Sequence, residues 1–153
     1  MNLLGVLTSG PTAFRSEGMN HENESFIGEL NVQSLEGGRA ALLRYTATLL
    51  TGNVVHTGST LLGTGPDGKL SMWPVMSELP VVLPHTEVMN KTESGKCTMA
   101  VFGSGARDDS ATFREEISIQ VNTDGSLVYA HAWGLPSGTF EDRSSCSMVP
   151  RSR

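Results

Sequence analysis

Four histidines, His21, His56, His85 and His131, have the widest chemical repertoire in this chain, and they lie on four separate segments. Metal centres announce themselves by close spacing, such as His-x-x-x-His or paired cysteines, because ligands must converge on one ion. No such pair is present here, so neither a metal nor a cofactor is expected. Surface or hydrogen-bonded histidines are the plainer reading, although strands of one barrel could still bring two or three together.

Arg44 and Tyr45 are consecutive, and in a strand consecutive side chains face opposite ways. A guanidinium turned inward beside a tyrosine hydroxyl would hold a carboxylate by two parallel hydrogen bonds. Arg114 is an alternative anchor, although its face reads as the solvated one. Glu115 and Glu116 likewise diverge and make a poor acid–base pair. Glu115 shares its side with Phe113 and Ile117, where an isolated carboxyl would titrate abnormally high and could act as an acid or base. There is no G-x-S-x-G elbow and no Cys–His signature, so no catalytic residue is assigned. Met72, Met76, Met89 and Met99, with Trp73 and Trp133, offer soft apolar surface that suits a ligand cavity as well as a plain core.

Residues 63–68, Gly-Thr-Gly-Pro-Asp-Gly, match G-x-G-x-x-G. That motif cradles a pyrophosphate only where a strand gives way to a helix. Pro74, Pro80 and Pro84 follow, and each would break a helix. The residues fit a hairpin turn instead, with proline fixing φ and Gly68 supplying a positive φ.

The same punctuation recurs at Thr51-Gly-Asn53, Glu93-Ser-Gly95, Asn122-Thr-Asp-Gly125 and Gly134-Leu-Pro-Ser-Gly138. It separates about nine β-suited runs, the grammar of a sandwich or barrel. Phe113, Ile117, Ile119 and Val121 alternate with Thr112, Arg114, Glu116, Ser118 and Gln120, the period of a strand with one wet face. Leu127, Tyr129, His131 and Trp133 share one face of the next strand. The run "ALLRYTATLL" (residues 41–50) also satisfies helical spacing, but its threonines and tyrosine favour strand. Residues 72–85, "MWPVMSELPVVLPH", are apolar and proline-rich, which suits an edge strand or a lid bordering a cavity.

In "FIGELNVQS", "GPDGKL", "NTDGSLVYAHAW" and the closing "TFEDRSSCSMV", the chain resembles the small calycin-like barrels, the group that includes lipocalins and fatty-acid-binding proteins. The resemblance implies an all-β, single antiparallel up-and-down barrel of about eight to ten strands over residues 25–153, preceded by a poorly structured arm over residues 1–24. It departs from the family at the lipocalin G-x-W, since Gly28 is followed by Glu29 and Leu30. Related haem-binding barrels carry a ligating histidine near the C-terminus, where this chain has none beyond His131.

Length and charge limit the remaining options. The 153 residues suit one domain. A net charge of −5 with no basic run argues against nucleic acid and anionic membranes. No run reaches the roughly 18 apolar residues of a membrane helix. The first residues lack the basic start of a signal peptide, so a cytoplasmic protein is expected, with Cys97 and Cys146 as free thiols and two glycosylation sequons as chance matches. The expected function is binding of a small apolar or amphipathic molecule in the barrel interior. Its ligand-binding set is Arg44, Tyr45, Trp73, Met76, His85, Glu115, His131 and Trp133. The alternatives are an isomerase, cyclase or hydrolase acting on a lipophile, with Glu115 or His85 as acid or base, and a cavity-free barrel acting through its surface. Association with a second copy stays open.

Overall fold

The computed structural model describes residues 1–151. Ten strands follow a short helix: α1 (Leu3–Ser9), β1 (Ala13–Asn20), β2 (Ser25–Leu35), β3 (Ala40–Leu49), β4 (Val54–Thr64), β5 (Leu70–Met76), β6 (His85–Glu93), β7 (Cys97–Gly103), β8 (Arg114–Asn122), β9 (Leu127–Gly134) and β10 (Glu141–Pro150). Each strand pairs antiparallel with its sequence neighbour, and β1 pairs with β10 to close the barrel. Closure satisfies the ladder groups that an open sheet would leave at its edges.

The ambiguous run 41–50 lies in β3, with Ala41, Leu43, Tyr45 and Ala47 buried and Arg44 exposed. The glycine-rich stretch is the β4–β5 hairpin: Gly68 N–H donates to the Gly65 carbonyl at 3.0 Å, and Gly68 has φ of +81°. That backbone conformation penalises a Cβ, so the motif serves a turn.

Two expectations need correction. Residues 1–24 are not an unstructured arm. They hold α1 and β1, and β1 is the strand that closes the barrel. Phe14 is its one deeply buried apolar side chain, so the segment shows no apolar period. The run 72–85, expected as an edge strand or a lid, is divided instead: β5 ends at Met76 and β6 begins only at His85, because Pro80 and Pro84 cannot donate to a ladder. The β5–β6 seam is correspondingly short, with only Ser71↔Thr86 and Met72↔His85 in register.

The connections alternate between two ends. At one end lie the β2–β3, β4–β5, β6–β7 and β8–β9 turns, and α1 packs there against β2, β3, β7 and β8. Seven residues make a marginal helix in water; this one is held by burial of Leu3, Leu4 and Leu7 and capped by the Asn2 side chain, which accepts from Gly5 N–H at 3.0 Å. Above the plug the interior is filled by Leu30, Leu43, Leu62, Ile119, Leu127 and Met148, all at most 1% exposed. At the other end the β1–β2, β3–β4, β5–β6, β7–β8 and β9–β10 connections surround a mouth. Among the described residues no helix is long and apolar enough to cross a membrane.

Candidate functional site

A cavity of about 540 Å³ enters the barrel from the mouth. On β3 and β9, Tyr45 and Tyr129 stack with ring centroids 4.3 Å apart. Tyr45, Ala47, His56, Met76, Glu115, His131 and Trp133 line the space, with Leu79, Phe113, Leu135 and Pro136 contributed by the loops. Register explains the opening. Tyr45 pairs with Gly58, and Gly58 pairs with Met76, so the row across β3, β4 and β5 lacks its middle side chain.

Burial dominates the electrostatics of the aromatic cluster. His131 is 6% exposed, and the Tyr45, Tyr129 and His56 rings surround it at centroid distances of 6.1, 5.1 and 5.2 Å. Burial, reinforced by the nearby His56 and His85, pushes its pKa down to about 3, so the ring is neutral at physiological pH. Its Nδ1 lies 3.5 Å from Ser144 Oγ, while its Nε2 is buried with no hydrogen-bond partner. Burial also raises the phenols of Tyr45 and Tyr129 well above the ordinary tyrosine value, and both stay protonated.

The charged groups at the cavity are already paired. His56 Nδ1 sits 2.9 and 2.8 Å from the two Glu78 oxygens, and since a carboxylate only accepts, Nδ1–H donates. Glu115 lines the cavity, and its Oε1 is 2.9 Å from Nε2 of the fully buried His85. His85 Nδ1–H donates to the Leu83 carbonyl at 2.7 Å, which orients the imidazole toward Glu115. Arg143 stands 5.4 Å over the Trp133 ring, bonds the Trp133 carbonyl at 3.2 Å and pairs with Glu141 at 3.2 Å.

Of the residues singled out in the sequence, Tyr45, Met76, Glu115, His131 and Trp133 line this cavity, and His85 stands behind Glu115. Two lie elsewhere. Arg44 points outward and is exposed, because β3 turns its Ala41, Leu43, Tyr45 and Ala47 side inward. Trp73 lies on the outer face beside Leu61, between the inward Met72 and Met76. The alternative anchor Arg114 is 3% exposed rather than solvated. The loops fold over its outward side, and its guanidinium donates to the Arg107, Thr112, Leu135 and Gly138 carbonyls. Gly134 makes room for it, since a Cβ there would stand 2.5 Å from the guanidinium carbon.

Sequence reasoning missed His56, Glu78, Phe26, Phe113, Arg143 and Ser144 as cavity residues. Alternation with the inward Leu62 on β4 would have flagged His56. Arg143 falls at an irregularity in the β9–β10 register between Asp142 and Ser144, which breaks the simple alternation. A second concavity of about 570 Å³ lies partly along the outward side of β7–β9, where Met89, Met99 and Val101 meet the Arg107–Glu116 ion pair. Among the described residues, no group of three or more His, Cys, Asp or Glu side chains could hold a metal ion.

No protein-family model matches the chain, and no curated protein matches it in sequence. In three dimensions it is similar to the crystal structure of Rv2717c from M. tuberculosis. The TM-score is 0.72 at 11% identity, over 96% of this chain and 94% of that one. The likeness is one of fold.

Proposed function

We propose that this protein binds a small apolar or amphipathic molecule in the mouth cavity, in the manner of the calycin-like barrels its sequence resembles. The observation that supports this reading is an opening of about 540 Å³ walled by aromatic and aliphatic side chains above an otherwise filled interior. Small-molecule sites have this size and lining, with a few convergent polar groups. Tyr45, His131 and Trp133 take the place at the ligand that the outward Arg44 does not occupy. Two unpaired thiols, Cys97 and Cys146, suit a reducing compartment such as the cytoplasm.

Native mass spectrometry of the purified protein and uptake of an apolar fluorescent dye test the reading. Gly58→Val supplies the control. Its Cβ would meet His56 Nε2 at 3.4 Å and Met76 Cγ at 3.6 Å, ordinary contacts that put the added methyls into the cavity. The variant should fold and lose dye uptake. Equal uptake by both proteins, or none by the wild type, removes the cavity from the account.

A second reading, an enzyme acting on a lipophile, draws support from the Glu115–His85 pair at the cavity wall. A carboxyl oriented by an imidazole in an apolar site is suited to proton transfer. Turnover of a bound ligand that Glu115→Gln abolishes while binding persists would favour the enzyme over the carrier.

A further inference from the structure

Arg114 lies across the barrel wall from the mouth cavity. It pairs with Gly134 in the β8–β9 ladder. The next pair, Glu115 and Trp133, turns inward and lines the cavity, so Arg114 and Gly134 face outward.

What the guanidinium touches is loop backbone. Nε donates to the Arg107 carbonyl at 2.9 Å and Nη1 to that of Thr112 at 3.4 Å, both in the β7–β8 loop. Nη1 also donates to the Leu135 carbonyl at 2.9 Å, and Nη2 to that of Gly138 at 2.8 Å, both in the β9–β10 loop. The loops meet directly as well. Ser137 N–H donates to the Ser110 carbonyl at 2.7 Å, and the Arg107 guanidinium stands 5.1 Å over the Phe140 ring. A buried guanidinium is costly unless hydrogen-bonded, and here the carbonyls of two loops offset that cost. Lysine could not replace it, because an ammonium is a point charge and lacks the planar fork that reaches both loops.

These loops supply Phe113, Leu135 and Pro136 to the cavity wall. Phe113 directly precedes Arg114, and Leu135 carries one of the bonded carbonyls. We propose that Arg114 is a positioning residue for the ligand: it fixes these three wall residues in the empty protein and so slows the release of an occupant it does not touch. This rests on the cavity being a ligand site. Loops that are already fixed lose no further freedom on binding, which favours the complex. Among variants of one site, such differences appear mainly in the dissociation rate.

The test uses Nile red, a neutral apolar dye, with the full chain. Its release is followed by stopped-flow fluorescence, and a urea midpoint is measured for each protein. Arg114→Lys keeps the charge and loses the fork. Gly134→Ala keeps Arg114 and displaces it, since the added Cβ would stand 2.5 Å from the guanidinium carbon. Each variant should release the dye about tenfold faster, with association changed by less than about threefold. Phe113→Ala should also speed release. Added to it, Arg114→Lys should have a smaller effect than alone, because the loop has lost part of what it positions. A residue that only stabilised the fold would lower the urea midpoint and leave release from the folded protein unchanged. In the wild type without dye, the Ser137 amide should already exchange more slowly than the amides of the exposed Val81 and Val82.

The proposal falls if either variant folds and releases the dye at the wild-type rate, if the Arg114→Lys and Phe113→Ala effects are additive, or if Ser137 is protected only when dye is bound. Should neither variant fold, hydrogen exchange in the wild type decides. No dye uptake by the wild type removes the cavity reading itself. Uptake with unchanged release in both variants leaves the cavity and refutes only the role of Arg114.

Discussion

Lowering the pH from 7 to 5 should destabilise this protein through His131, and the size of the effect follows from its burial. The unfolded chain carries an ordinary histidine with a pKa near 6.5, whereas the folded ring is pushed down to about 3. Between those values the unfolded state binds a proton that the native state refuses. Stability from this residue is thus complete above about pH 6.5 and declines as the pH falls toward 3. Integrated from pH 7 to 5, the loss is about 2 kcal/mol.

Urea unfolding at the two pH values measures it. With a slope of about 2 kcal/mol per molar, the His131 share is a fall of about 1 M in the midpoint. The other titrating groups act in wild type and variant alike, so His131→Phe isolates the term. The variant should lose about 2 kcal/mol less than wild type over the same interval. An identical pH dependence in the two proteins would show that His131 protonates freely in the folded state, and the description of its surroundings would be wrong.

Three further outcomes follow from the same structure. His85→Leu strands the Glu115 carboxyl and should cost about 3 kcal/mol, and Glu115→Leu strands His85 Nε2. The double variant should recover much of that cost, because a buried pair replaced whole by apolar groups is often close to neutral; additive single costs in a double-mutant cycle would refute the coupling. Leu7→Ala should cost about 3 kcal/mol by opening a cavity beneath α1, lowering the melting temperature by about 10 °C; a cost under about 1 kcal/mol would mean that α1 does not plug the barrel. Cys146, 1% exposed and with its thiol pushed up to about 11 by burial, should react with a disulfide reagent at pH 8 only after unfolding, whereas the partly exposed Cys97 reacts in the native state. Two equivalents reacting at one rate in native protein would contradict this.

What was legible in the sequence was whatever depends on a few neighbouring residues. The period of the pleat is local, so Tyr129, His131 and Trp133 on β9, and Glu115 with Ile117 on β8, could be assigned to shared faces before any strand was placed. Turn chemistry is equally local: Pro66-Asp67-Gly68 reads as a hairpin turn, and Pro74, Pro80 and Pro84 after it deny the helix that a dinucleotide loop needs.

Alternation also said that Arg44 and Tyr45 diverge, but not which one turns inward. That choice was made by the packing of Ala41, Leu43 and Ala47 against the rest of the barrel. Arg114 carried the alternation of a wet face and became buried because the β7–β8 loop that leads into it and the β9–β10 loop close over it together. The arm reading failed at β1, whose residues offer little apolar signal and are held by pairing with β10 across more than a hundred residues of chain. The Glu115–His85 contact joins β8 to the start of β6, with β7 between them in the sheet. The solitary Nε2 of His131 is a property of everything that does not reach it. Side-chain direction is set by backbone geometry a few residues long, whereas closure, loop cover and polar satisfaction depend on contacts between distant segments, and those arise only when the whole barrel is assembled.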